Sequence, residues 1–139
     1  MNSTNQKRFD RQVEWVLSQL PHSVIKMLHR VPLHVVDQPS KRLCKELKIA
    51  SPDDLCGYFS GVPYGEKNGY FGSNVYLSAD LPILTSITIF RRGIIAVSRN
   101  EFGKVRRCQL REQIKITILH ELAHLHGIDE DEIDKLGYG

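Results

Sequence analysis

Three of the six histidines fall within seven residues, in the run His120-Glu121-Leu122-Ala123-His124-Leu125-His126-Gly127. Residues four apart on an α-helix share a face, so His120 and His124 can aim a ring nitrogen at one metal ion. Glu121 stands about 100° round the helix from His120. From there it reaches a water on the metal without ligating the metal itself. Gly127 permits a sharp turn after the second histidine, and Glu130 then falls where a third ligand belongs. Asp134 is the next candidate among the carboxylates of that segment. Two imidazoles and one carboxylate leave a coordination position open, which marks a catalytic zinc site rather than a closed structural one. Zinc acidifies a bound water, and Glu121 is placed to take its proton and pass it to a leaving amine. The chemistry these residue types point to is amide hydrolysis without a covalent intermediate. His126 lies on the far side of the helix from His120 and is not expected to ligate.

A helix has to hold this motif. Residues 109–126 read as one, with Ile114, Ile118, Leu122 and Leu125 forming a separate apolar stripe and Gly127 in the C-cap position. Upstream, Phe9, Val13, Val16, Leu17 and Leu20 recur at helical steps over residues 6–20, and Pro21 closes the pattern. Trp15 is expected to anchor this helix in the core. A short helix is predicted over residues 22–30, a strand over residues 32–36, and a helix over residues 41–48 capped by Ser40. Residues 51–80 are rich in glycine and read mostly as loop, with short strands around Tyr58-Phe59 and Val75-Tyr76-Leu77. Ser86-Ile87-Thr88-Ile89-Phe90 alternates strictly and is the clearest strand. Gly93 is expected to break it. Ile94–Val97 reads either as a helix start or as a further strand, and a basic loop runs to about residue 108. A short final helix is expected over about residues 129–136.

The chain has 139 residues, 41% of them hydrophobic and 25% charged, as in an ordinary globule. We read residues 1–139 as one domain. Its composition excludes a disordered tail, a collagen-like repeat and a coiled coil, and no apolar run is long enough to span a bilayer. No export signal is visible, and Cys44, Cys56 and Cys108 form no CxxC pair, so a cytoplasmic setting with no membrane partner is expected. Net charge is +3, but residues 91–111 carry seven basic side chains against one acidic, and residues 121–139 carry six acidic against one basic. Without aromatic residues at regular intervals, the basic stretch reads as a solvated loop whose charge offsets the acidic end. No nucleic-acid partner is expected from it.

The segment from Leu81 to Gly139 resembles the small bacterial zincin-like metallopeptidase family. The matching pieces are Ser86–Arg92, Leu110-Arg111-Glu112-Gln113, Ile116–Glu121, His124, Gly127, Ile128-Asp129-Glu130 and Leu136-Gly137-Tyr138. Weaker likeness extends from Phe9 to Val62-Pro63. The resemblance implies a compact zincin-like α+β fold, with helices packed on a mixed β-sheet and the HExxH helix lining a cleft. It implies a zinc-dependent peptidase with His120 and His124 as ligands, Glu121 as general base and Glu130 in the acidic third-ligand position. A peptide or protein would be the substrate, held by strand addition to a sheet edge such as Ser86–Phe90. Both methionines lie far upstream, so no metzincin Met-turn is expected. Tyr138 is the only tyrosine after the motif that could stabilise an oxyanion; Tyr58, Tyr64, Tyr70 and Tyr76 read as packed or surface residues. The alternative reading is a metal-holding regulatory or interaction module with little turnover.

Overall fold

The structure, a computed structural model, describes residues 1–61 and 85–125. The side chain of Asn2 accepts the Asn5 amide and starts α1 (Ser3–Gln19), three residues before the apolar pattern alone would start it. Phe9, Val13 and Val16 make its buried stripe. Trp15 lies off that stripe and is 42% exposed, not buried in the core; the Arg111 guanidinium sits 3.7 Å above its ring. Pro21 separates α1 from α2 (His22–Arg30), which leans Val24, Ile25 and Leu28 on the core. Ser40 caps α3 (Lys41–Glu46) as its sequence predicts.

Among the described residues, three strands make a mixed sheet. β1 (Leu33–Val36) runs parallel to β3 (Ser86–Phe90), and β2 (Gly57–Ser60) runs antiparallel to it on the other side. β3 is therefore the central strand, not an edge. Its Ile87 and Ile89 are fully buried. This corrects the expectation that Ser86–Phe90 would offer a free edge to a peptide, since both sides of its ladder are already paired. The predicted strand around Val75 and the final helix lie outside the described residues.

β3 passes directly into α4 (Arg91–Ser98), which resolves the ambiguity over residues 94–97 as helix. Arg91 and Arg92 belong to that helix and not to the strand, and Gly93 lies inside it. Gly93 is needed for contact rather than for a break. A Cβ there would fall onto the Leu55 carbonyl, just after the 3₁₀ turn Pro52–Asp54. Arg91 is only 11% exposed in its side chain; it donates to both Asp10 oxygens at 3.0 Å and to Asp37 Oδ1 at 2.9 Å. It ties α1, the end of β1 and α4 together. Burial alone would push Asp37 up. The hydrogen bonds from Gln6 and Arg91, with the charges of Arg91 and the N-terminal ammonium, outweigh it and hold Asp37 below its ordinary value of 3.8.

The longest described helix, α5 (Arg107–Leu125), packs on α1, α4, β2 and β3. Ile114, Ile118, Leu122 and Leu125 are all buried, as their spacing predicts. Together with Phe9, Val13, Val16, Ile87, Ile89 and Ile94 they close the core. The molecule is α+β, helices around a small mixed sheet, as a zincin-like domain requires. No helix among the described residues is long and apolar enough to cross a membrane.

Candidate metal centre

The last turns of α5 carry the motif. The stripe that buries Ile118, Leu122 and Leu125 turns His120 and His124 to a half-buried flank of the same helix. Their Nε2 atoms lie 3.1 Å apart, with ring centroids 4.7 Å apart and planes at 71°. At that distance one ring can donate its N–H to the other. The same separation suits a shared ion: two nitrogens at about 2.0–2.1 Å from a tetrahedral zinc stand about 3.3 Å from each other. The donor chemistry and the spacing of this pair fit zinc.

Glu121 is buried, at 8% exposure, on the side of α5 that faces β2. The approach is close. A Cβ on Gly57 would lie 2.8 Å from Thr117 Cγ2 and 3.1 Å from Glu121 Cγ. Any larger residue at position 57 would force helix and strand apart, so this glycine sets how deep the Glu121 carboxylate sits. Cys56 precedes it. Burial pushes the Cys56 thiol up, and the nearby Glu121 charge pushes it further in the same direction. This thiol is thereby kept in its neutral form beside the carboxylate.

Tyr58 is the only described tyrosine. Successive side chains of a strand point to opposite faces, so Tyr58 points away from the face that Gly57 presents to Glu121. Sequence reasoning missed the part played by Gly57. The available signal was a glycine opening a strand, a common sign of close backbone approach.

The structure thus brings His120, His124 and Glu121 to one end of α5. Among the described residues no group of three potential metal-binding side chains converges on one point. Glu130 and Asp134, the candidates for the third ligand, lie outside the described residues, as do His126 and Tyr138. A model of the zincin-like metallopeptidase family matches residues 28–139, which takes in the sheet, α4, α5 and the motif. The chain belongs to the zincin-like metallopeptidase family. Comparison with curated proteins found no match. In this zincin-like chain the matched region begins within α2, so all of α1, including the Asp10 that meets Arg91, lies before it.

Proposed function

We propose that this zincin-like chain is a zinc-dependent peptidase, with His120, His124 and Glu130 as ligands and Glu121 as general base. The observation that carries the reading is the 3.1 Å pair of ring nitrogens beside a buried carboxylate on the same helix. A zinc ion held there supplies Lewis acidity, which acidifies water and polarises a carbonyl.

Glu121 accepts a proton from the attacking water as its oxygen bonds to the substrate carbonyl carbon. Glu121 returns that proton to the amide nitrogen as the C–N bond breaks, so the amine leaves neutral. Packing against Gly57 and Thr117 holds the carboxylate in place, and a fixed base loses no time to rotamer search. Among the described residues β2 is paired on one side only, and it lies against α5 at Glu121. An extended peptide is best accommodated as a further strand beside β2. The setting we favour is the reducing cytoplasm, supported by three free thiols.

The test compares purified protein with its Glu121→Gln variant for zinc content and for cleavage of unfolded proteins and peptides. Both should hold zinc, and the variant should lose at least about 100-fold in rate. Equal cleavage by the two proteins would overturn the assignment of the base. Zinc in both, without cleavage by either, would leave a metal-holding module instead.

A further inference from the structure

The basic side chains of residues 91–111 do not all stand alike in the fold. Arg91 and Arg92 are paired locally, by Asp10 and Asp37 and by Asp53 at 2.8 Å. Arg99, Arg106 and Arg107 are exposed and make no ion pair among the described residues. The same holds for Arg8 and Arg11 of α1, which the sequence places some ninety positions away.

Folding gathers these five arginines around a row of three neighbouring clefts that share lining residues and together form a groove. The largest, of about 460 Å³, has Arg8, Arg92 and Arg99 around apolar walls that include Phe9, Ile95 and Leu110. A second, of about 370 Å³, shares Arg8, Val105 and Leu110 with the first and adds Arg11 and Arg107. A third, of about 310 Å³, shares Arg99 with the first and adds Arg106 and Phe102, with Glu101 as its one carboxylate. Phe102 is 78% exposed, the most open large apolar side chain among the described residues. A built turn holds it there. The Asn100 side chain accepts the amides of Phe102 and Lys104 at 2.9 and 3.0 Å, and Arg99 bridges Val105 at its base.

We propose that this groove binds single-stranded nucleic acid, with phosphates on Arg8, Arg11, Arg99, Arg106 and Arg107 and a base stacked on Phe102. Guanidinium forks match phosphate oxygens, and a row of them with apolar walls at Phe9, Ile95 and Leu110 and an open ring at Phe102 suits a chain that alternates charge with flat rings. An acidic peptide would satisfy the arginines but leave the Phe102 ring without a flat partner. Leu110, the lining residue nearest the motif along α5, lies about 15 Å from His120 at 1.5 Å per residue, so the groove is separate from the metal centre. The basic stretch by itself argues against such a partner, since no aromatic residues recur at regular intervals among its arginines; Arg8 and Arg11 join it only in the fold.

The test is fluorescence anisotropy of labelled 20-nucleotide oligo-U and oligo-dT at 50 and 200 mM salt. With five phosphate contacts, affinity should fall about 100-fold across that range. In Arg8→Gln/Arg11→Gln the fall should shrink to about 20-fold, and binding at 50 mM should weaken at least about 10-fold. Phe102→Ala should cost about 10-fold through lost stacking. Arg30→Gln/Arg42→Gln, which removes equal charge from α2 and α3, should leave binding unchanged. Loss of affinity in that control equal to the loss in the groove variant would overturn the proposal. So would no binding at 50 mM, or binding of polyglutamate of matching charge as tight as that of the oligonucleotide, which would mark a surface for acidic proteins. Glu121→Gln and metal removal leave this readout intact, so its failure is distinguishable from failure of the peptidase reading.

Discussion

At the carboxyl end of α5, Glu121 and Thr117 lie so close beneath β2 that position 57 has no room for a methyl group. At the amino end of the same helix, Arg107 and Cys108 are open to solvent and border clefts rather than strands. The contrast shows what each kind of work asks of a helix. Moving a proton between atoms requires a group fixed to within a fraction of an ångström, and crowding provides that. Attracting a charged partner requires only that cations stay hydrated and within reach, and crowding would defeat it. Burial rises along the length of this one helix, so its two ends would suit the two proposed kinds of work.

Substitutions can break or sharpen this contrast. The largest effect is expected from Gly93→Ala, which pushes a methyl onto the Leu55 carbonyl and should cost about 3 kcal/mol in denaturant-monitored stability. Gly57→Ala should cost about 2 kcal/mol and slow peptide cleavage more than it lowers stability, because it shifts Glu121. If cleavage fell only in proportion to folded protein, crowding would not be what positions the base. Arg91→Gln should cost about 1.5 kcal/mol at pH 7. Its pH dependence follows from Asp37. A carboxylate held below its ordinary value adds stability above the unfolded value of about 3.9 and loses it as pH falls through the lowered folded value. The gap between wild type and Arg91→Gln should therefore narrow below about pH 4, read by urea titration across pH. The smallest effect belongs to the open end. Arg111→Gln removes the cation stacked on Trp15 and should cost about 0.5 kcal/mol in the same titration. An effect there as large as that of Gly57→Ala would abolish the distinction between the two ends.

Local periodicity carried much of the fold. The stripe of Phe9, Val13 and Val16, the Ser40 cap, the alternation of Ser86–Phe90 and the stripe from Ile114 to Leu125 all appear where their spacing puts them. For Trp15 residue type points to the core, but its position two residues past Val13 puts it off the buried stripe. The passage from β3 straight into α4 was not legible. Arg91-Arg92-Gly93 looks like punctuation in sequence, and only the contact with Leu55 explains a glycine within a helix. Sheet order was equally hidden, since nothing local tells β3 that β1 and β2 will flank it. For the candidate site, helical spacing was enough to set His120 and His124 side by side. The depth of Glu121 depends on Gly57, a partner far away along the chain. The groove was illegible for the same reason: it forms only when α1 meets the loop before α5.

The parallel pairing of β1 with β3 has a consequence for synthesis. Asp37, at the end of β1, meets Arg91, at the end of β3, across 54 residues. A ribosome adding about 5–20 residues per second takes several seconds to deliver the second strand after the first. Throughout that interval the nascent β1 exposes an unsatisfied ladder and the buried stripe of α1 has nothing to close upon. The emerging amino-terminal third is therefore a natural client for chaperones, and slowing translation between the two strands would lengthen its exposure.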